Sequence, residues 1–166
     1  DRPHPALQDP APNRKRAIRL FAKTLSDLAE GEMLQLQKAS SGDTTREDYL
    51  RIIYSKTASL FEASVLSGAV SADAPEEWTA ALAGYARNLG IAFQIKDDIL
   101  DYAGDEALGK PVGIDLKEQK ITLPLLCALE SAPAEEAAEV RALVGRISDE
   151  PALAVGVGGV GVANGG

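Results

Sequence analysis

The sequence contains one cysteine, one histidine, one methionine and one tryptophan, and aromatic residues make up only 5% of it. A single Cys127 excludes an internal disulfide framework and fits a reducing compartment such as the cytoplasm. Its setting in the apolar run LPLLCAL places it in a core rather than in reactive chemistry. The one histidine, His4, stands in a proline-rich start and is expected at the surface rather than in a metal site. No apolar run approaches the length of a membrane span, and the opening DRPHPALQDPAPNRKR lacks the hydrophobic segment and cleavage pattern of a secretory signal. A basic stripe is missing too. With a net charge of −8, nucleic acid is not an expected partner. Internal repeats are absent.

What the chain does have is apolar residues, 45% of the total, with alanine and leucine plentiful. That balance predicts an all-α protein, and 166 residues suffice for one core. Residues 1–13 read as an extended lead-in, 14–150 as the helical domain, and 151–166 as a glycine-rich disordered tail. Apolar spacing predicts a first helix over 13–39, with Ala17, Leu20, Phe21, Leu25 and Leu28 on its packed face. Thr45 followed by Asp48 resembles a capping box opening a second helix that runs to Val70. Its stripe is Tyr49, Ile52, Ile53, Leu60 and Ala63, with Lys56 in the middle and Thr57 beside it. A third helix spans 75–102, on which Trp78, Leu82 and Tyr85 are expected to pack against neighbours. Residues 103–120, with Gly104, Gly109, Pro111 and Gly113, predict a long loop that could act as a lid carrying Lys110 and Lys120. Two further helices follow, from Thr122 as N-cap to Glu130 and from Pro133 to Ile147.

Within the third helix the stretch GIAFQIKDDILD carries the chemistry. At about 100° per residue, Gln94, Asp97, Asp98 and Asp101 share one face. Ile91, Ile95 and Ile99 flank that face on one side, Phe93 and Leu100 on the other, and Lys96 points away. Gly90 lies on the same face and leaves room for something to approach the backbone. Close like charges repel by about 4 kcal/mol at an effective dielectric near 20, so three carboxylates on a half-buried face need a cation. Oxygen donors without His or Cys select a hard divalent ion, magnesium before zinc. The alternative is a solvated acidic surface, and the apolar flanks weigh against it.

The order K-T, then F-Q-x-x-D-D-x-x-D, then G-K-x-x-G-x-D-x-x-x-x-K-x-T-x-P resembles the trans-prenyl diphosphate synthase family, the polyprenyl synthetases, from about Arg14 to Ile147. The resemblance implies part of an isoprenoid-synthase-type helical bundle that condenses an allylic diphosphate with isopentenyl diphosphate, with Mg2+ as cofactor and a homodimeric whole enzyme. It assigns Asp97, Asp98 and Asp101 to the second aspartate-rich motif, Asp97 as the direct metal ligand and the other two partly through water. Lys56 and Lys110 match lysines on the allylic diphosphate, and Thr57 and Gln94 match positions near the developing cation. Lys120 and Asp115 match supporting positions, and Glu32 and Gln35 lie where the family's helix turns polar residues to the cavity. The family's first D-D-x-x-D, its arginines and its isopentenyl diphosphate pocket have no counterpart, since the acid-rich LAEGE before Lys56 has the wrong spacing. The chain is therefore expected to be a fragment holding half of a catalytic site. A non-catalytic subunit of a heteromeric synthase would tolerate that loss but has no need of an intact second motif. An unrelated helical interaction module would not explain the G-K-x-x-G-x-D segment, and a terpene cyclase carries a different second metal motif.

Overall fold

The structure, a computed structural model, describes residues 11–103, 113–147 and 149–150. Among them there are seven α-helices, one π turn and no strand: α1 (Ala11–Ser41), α2 (Arg46–Ile53), the π turn (Tyr54–Ala58), α3 (Ser59–Ser71), α4 (Glu76–Ala103), α5 (Ile114–Lys117), α6 (Leu123–Ser131) and α7 (Ala134–Arg146). The all-α expectation holds. Residues 1–10, the glycine-rich tail 151–166 and the loop residues Gly104, Gly109, Lys110 and Pro111 lie outside the described residues. The first helix begins at Ala11, inside the stretch expected to be extended. A proline in the first turn removes no helical hydrogen bond, so Pro12 is compatible with that start.

Thr45 opens α2 with the capping box its spacing predicts. Its hydroxyl accepts from the Asp48 N–H at 3.1 Å, and Asp48 Oδ2 accepts from the Thr45 N–H at 3.0 Å. The helix expected to run unbroken to Val70 is interrupted by the π turn, which carries both Lys56 and Thr57. Two glycines border this turn from opposite sides. A Cβ on Gly31 of α1 would lie 2.7 Å from Ser55 Cβ, and one on Gly90 of α4 would lie 2.6 Å from Ala58 Cα. What approaches Gly90 is thus the backbone of the π turn. Beyond it Ser59 and Ala63 turn inward, whereas Leu60, expected in the stripe, is 45% exposed. The turn breaks the phase on which that expectation relied.

The main core gathers at the end of the molecule that holds the acidic motif. Tyr49 and Ile53 of α2 meet Leu116, Ile121, Leu125, Leu126, Leu129, Val140, Val144 and Ile147, with Ile91 and Ile95 of α4 packed against them. Each fully buried leucine here contributes roughly 1.5–3 kcal/mol of transfer free energy. Arg141 of α7 donates to the carbonyls of Gly42 and Thr44, tying the last helix to the loop before α2.

Three packing expectations need correction. Cys127 is exposed, because Leu125, Leu126 and Leu129 take the inward face of α6 and leave position 127 outside. Trp78 and Tyr85 are about two-thirds exposed and Leu82 is exposed as well. Phe21 and Leu25 on α1 are likewise exposed. The described neighbours that the two helices share, α3 and the π turn, leave these side chains uncovered. No helix among the described residues is long and apolar enough to cross a membrane.

Candidate functional site

Helical spacing brings Gln94 and Asp98, four residues apart on α4, onto the side of the helix that faces α2 and the π turn. Asp98 is 4% exposed. A carboxylate this buried needs donors, and it has them. The Tyr49 hydroxyl donates to Oδ2 at 2.6 Å, and the Gln94 amide donates to Oδ1 at 2.8 Å. Thr57 of the π turn donates to Gln94 Oε1 at 2.8 Å. Burial raises the Asp98 carboxyl above its ordinary range against these two donors, and the Asp97 charge adds to the rise. Burial, followed by the Asp98 carboxylate, also raises the Tyr49 phenol, which keeps it a donor.

Lys56, from the same π turn, reaches toward α1. Its Nζ lies 2.8 Å from Gln35 Oε1 and 2.6 Å from Glu32 Oε2. The polar residues at the end of α1 therefore do meet the site, as partners of Lys56. On the other side Asp101 caps the start of α5: its two oxygens accept from the N–H groups of Ile114 and Asp115, both at 3.1 Å. That seat fixes Asp115 near Lys120, whose Nζ is 3.5 Å from Asp115 Oδ1 and 2.5 Å from Glu118 Oε2. Burial first, then the Asp101 and Asp98 charges, pushes the Asp115 carboxyl up to about 6 despite Lys120. For Lys120 burial works to lower the ammonium, but Glu118 and Asp115 outweigh it and hold the group above its ordinary value.

These side chains enclose a cavity of about 200 Å³ between α1, α2, α4 and the segment 115–122. Lys56, Gln94, Asp98, Asp115 and Lys120 line it, together with Gln35, Lys38 and Tyr49. The sequence-predicted set is thus brought together in part. Asp97 and Asp101 are half-exposed on the same helix but do not line this cavity. Among the described residues no three His, Cys, Asp or Glu side chains gather into a metal-holding group. The expected convergence of three aspartates is not seen, because Asp98 is turned to Tyr49 and Gln94 and Asp101 to α5. The donor chemistry still suits magnesium, which is commonly held by one or two carboxylates with its other positions left to water and phosphate oxygens. Lys110 lies outside the described residues.

Tyr49 and Lys38 are among the cavity residues that escaped the sequence reading. Tyr49 was assigned to an apolar stripe, although a buried tyrosine usually finds a partner for its hydroxyl. Lys38 carried no motif. It lines the cavity while paired with Asp48 at 3.0 Å and Asp43 at 3.3 Å.

Comparison with known proteins identifies the family. The polyprenyl synthetase family model matches residues 6–154. Octaprenyl diphosphate synthase of Escherichia coli (strain K12) is 43% identical over 143 residues, covering 83% of this chain and 44% of that protein. All-trans-nonaprenyl-diphosphate synthase (geranyl-diphosphate specific) of Rhodobacter capsulatus is 45% identical over 117 residues, 70% of this chain and 36% of that protein. Among solved structures, polyprenyl synthase from Caulobacter crescentus CB15, complexed with calcium and isoprenyl diphosphate, superposes with a TM-score of 0.78 at 40% identity. The match covers 90% of this chain and 46% of that one. Geranylgeranyl pyrophosphate synthetase from Pyrococcus horikoshii Ot3 gives 0.79 at 32% identity, over 95% of this chain and 48% of that one. The chain spans less than half the length of each of these relatives. With a family model over most of its length and a helical fold shared with solved members, the chain belongs to the polyprenyl synthetase family.

Proposed function

We propose that this chain supplies the diphosphate-gripping half of a prenyltransferase that joins an allylic diphosphate to isopentenyl diphosphate in isoprenoid biosynthesis. The observation that carries the reading is one cavity lined by Lys56 and Lys120 beside Gln94 and Asp98, with Thr57 held on Gln94. In the reaction the allylic C–O bond breaks, and its electron pair leaves with the diphosphate. The double bond of isopentenyl diphosphate then attacks the allylic carbon, and the new cation gives a proton to the released diphosphate, which restores an alkene in the lengthened prenyl diphosphate.

Ammonium groups favour the departing charge, since fixed cations act where charge develops. In this proposal that role falls to Lys56 and Lys120, which line the cavity, and to Lys110 by its motif position. Their present carboxylate partners, Glu32 on Lys56 and Glu118 on Lys120, would exchange for phosphate oxygens. Thr57 and Gln94 present oxygens toward the carbon side, where electron-rich atoms stabilise positive charge. Magnesium, when bound, would neutralise the leaving diphosphate, with Asp97 as its direct donor and Asp98 and Asp101 acting through water. A cytoplasmic location and a homodimeric whole enzyme complete the reading.

The test is a chimera in which residues 11–150 replace the matching part of the Escherichia coli octaprenyl diphosphate synthase. Prenyl transfer with magnesium, an allylic diphosphate and labelled isopentenyl diphosphate is the expected result. Lys56→Ala should lower turnover by about 10²–10³, the usual loss for one electrostatic donor. A folded chimera without turnover, or one indifferent to Lys56→Ala, would reject the proposal.

A further inference from the structure

We infer that Tyr49 is a positioning residue of this site: its buried hydroxyl holds Asp98, and through Asp98 it fixes the orientation of the Gln94 amide toward Thr57. The inference rests on the prenyl-transfer reading for its meaning in catalysis, but its geometry stands on its own.

Four side chains from three elements form a continuous hydrogen-bonded line. Tyr49 and Thr57 come from α2 and the π turn, and Gln94 and Asp98 come from α4. Tyr49 donates to Asp98 Oδ2 at 2.6 Å, Gln94 donates to Asp98 Oδ1 at 2.8 Å, and Thr57 donates to Gln94 Oε1 at 2.8 Å. The direction of the line follows from donor and acceptor inventory. An amide can face a hydroxyl with either its oxygen or its nitrogen, and Thr57 alone would accept both orientations. An ionised carboxylate only accepts, so Asp98 draws the Gln94 nitrogen to itself and turns the oxygen to Thr57. Thr57 must then spend its proton on Gln94. Its own oxygen is left as a pure acceptor, which is the polarity that a nearby allylic cation requires. Asp98 can impose this only while its carboxylate plane is fixed, and Tyr49 is the donor that fixes the second oxygen.

The phenol ring has a separate job. Tyr49 is 3% exposed and belongs to the main core, so a phenylalanine would fill the same space. Nothing in the packing calls for a hydroxyl. Among the described residues its hydroxyl bonds Asp98, which is itself 4% exposed. Tyr49→Phe therefore removes the link and keeps the ring, which separates positioning from packing.

Two measurements decide the matter. In the 166-residue chain with 15N-labelled glutamine side chains, Gln94→Leu identifies the Gln94 resonance. In Tyr49→Phe that amide should shift and lose protection from solvent exchange. The Gln119 amide, which donates to the Val144 and Gly145 carbonyls, should stay as it was. A Gln94 signal that does not move overturns the inference, and so does equal disturbance of Gln119, which would make Tyr49 a core residue only. In the chimera, Tyr49→Phe should lower kcat by about 10–100-fold with KM changed less than about twofold, the range seen when the support of a working group is removed. The same substitution should add nothing in a Gln94→Leu background. Unchanged kcat, or an equal loss in both backgrounds, rejects the positioning role. A wild-type chimera without turnover counts against the prenyl-transfer reading alone, and the amide spectra then decide the Tyr49 link.

Discussion

At Asp115 burial and two neighbouring aspartates act in the same direction, and Lys120 only partly offsets them. The carboxyl moves from an ordinary 3.8 to about 6 in the folded chain. A raised carboxyl means that the folded state binds the proton more tightly than the unfolded state does. Stability from this group is therefore greatest below the unfolded pKa and declines as pH rises through the folded one. Asp115→Asn removes that decline. At pH 7.5 the variant should be more stable than the wild type by about 1–2 kcal/mol once water screening near Lys120 is allowed for, and so melt higher. The gap should close by pH 4, and thermal unfolding at both pH values checks it. A lower melting temperature at pH 7.5 would mean that the Lys120 pair outweighs burial. The sequence alone shows Asp115 as a motif position but not this rise, which comes first from its burial in the fold and then from Asp101 and Asp98 set beside it. Cys127 shows the reverse failure. Its apolar neighbours in the chain are buried, yet the face they share excludes it.

The capping box of Thr45 and Asp48 could be read from two residues because it is a local device, needing no partner from elsewhere in the fold. Thr45→Ala should lower stability by about 1 kcal/mol in a denaturant titration. The π turn could not be read this way. Residues 54–58 carry no glycine or proline, and their helical spacing is unbroken in sequence. The turn coincides with two close helix approaches, at Gly31 and Gly90, and those belong to tertiary packing. Gly90 was legible as a gap on the acidic face, but not which backbone would fill it. The two helical glycines of α4 therefore separate by substitution. At Gly84 a Cβ meets nothing within 4 Å, so Gly84→Ala should stabilise by about 0.5–1 kcal/mol through helix propensity. At Gly90 the same change drives a methyl group against Ala58 Cα at 2.6 Å and Phe61 Cδ2 at 3.2 Å. Overpacking of about 1–3 kcal/mol should exceed the propensity gain and displace the turn that carries Lys56 and Thr57. Melting temperatures moving in opposite directions are the expected result. Equal shifts would show that α4 and the π turn can separate without loss.

Over the whole molecule the described helices bury one end well and leave the other open. On α1, Ile18, Phe21 and Leu25 stand 60%, 57% and 68% exposed at helical spacing. On α4, Trp78, Leu82, Tyr85 and Leu89 form a second exposed stripe, one residue every turn. A soluble monomer rarely shows contiguous apolar patches of more than a few hundred Å². These stripes were visible in the sequence as apolar periodicity, which reports that a face is to be covered but not by what. The chain spans less than half the length of its relatives, so the cover for such faces need not lie within it. Alone, residues 1–166 should therefore associate through these stripes as concentration rises through the micromolar range. Sedimentation velocity would show this, and charges placed in the stripes by Leu25→Lys with Tyr85→Lys should return the chain to a monomer. Association unchanged by the double variant would place the contact elsewhere. The same partial span of its relatives bears on chemistry. The sequence holds one aspartate-rich D-D-x-x-D motif, and its Asp98 and Asp101 are already engaged within the fold. On the proposed reading, one such face would hold diphosphate weakly and would neither grip both ends of a departing group nor aim a second substrate at it. The purified chain, given magnesium and both diphosphates, should show no prenyl transfer above background whether monomeric or associated. Turnover approaching that of the chimera would show that the opposing half is dispensable and that the cavity beside Lys56 is sufficient.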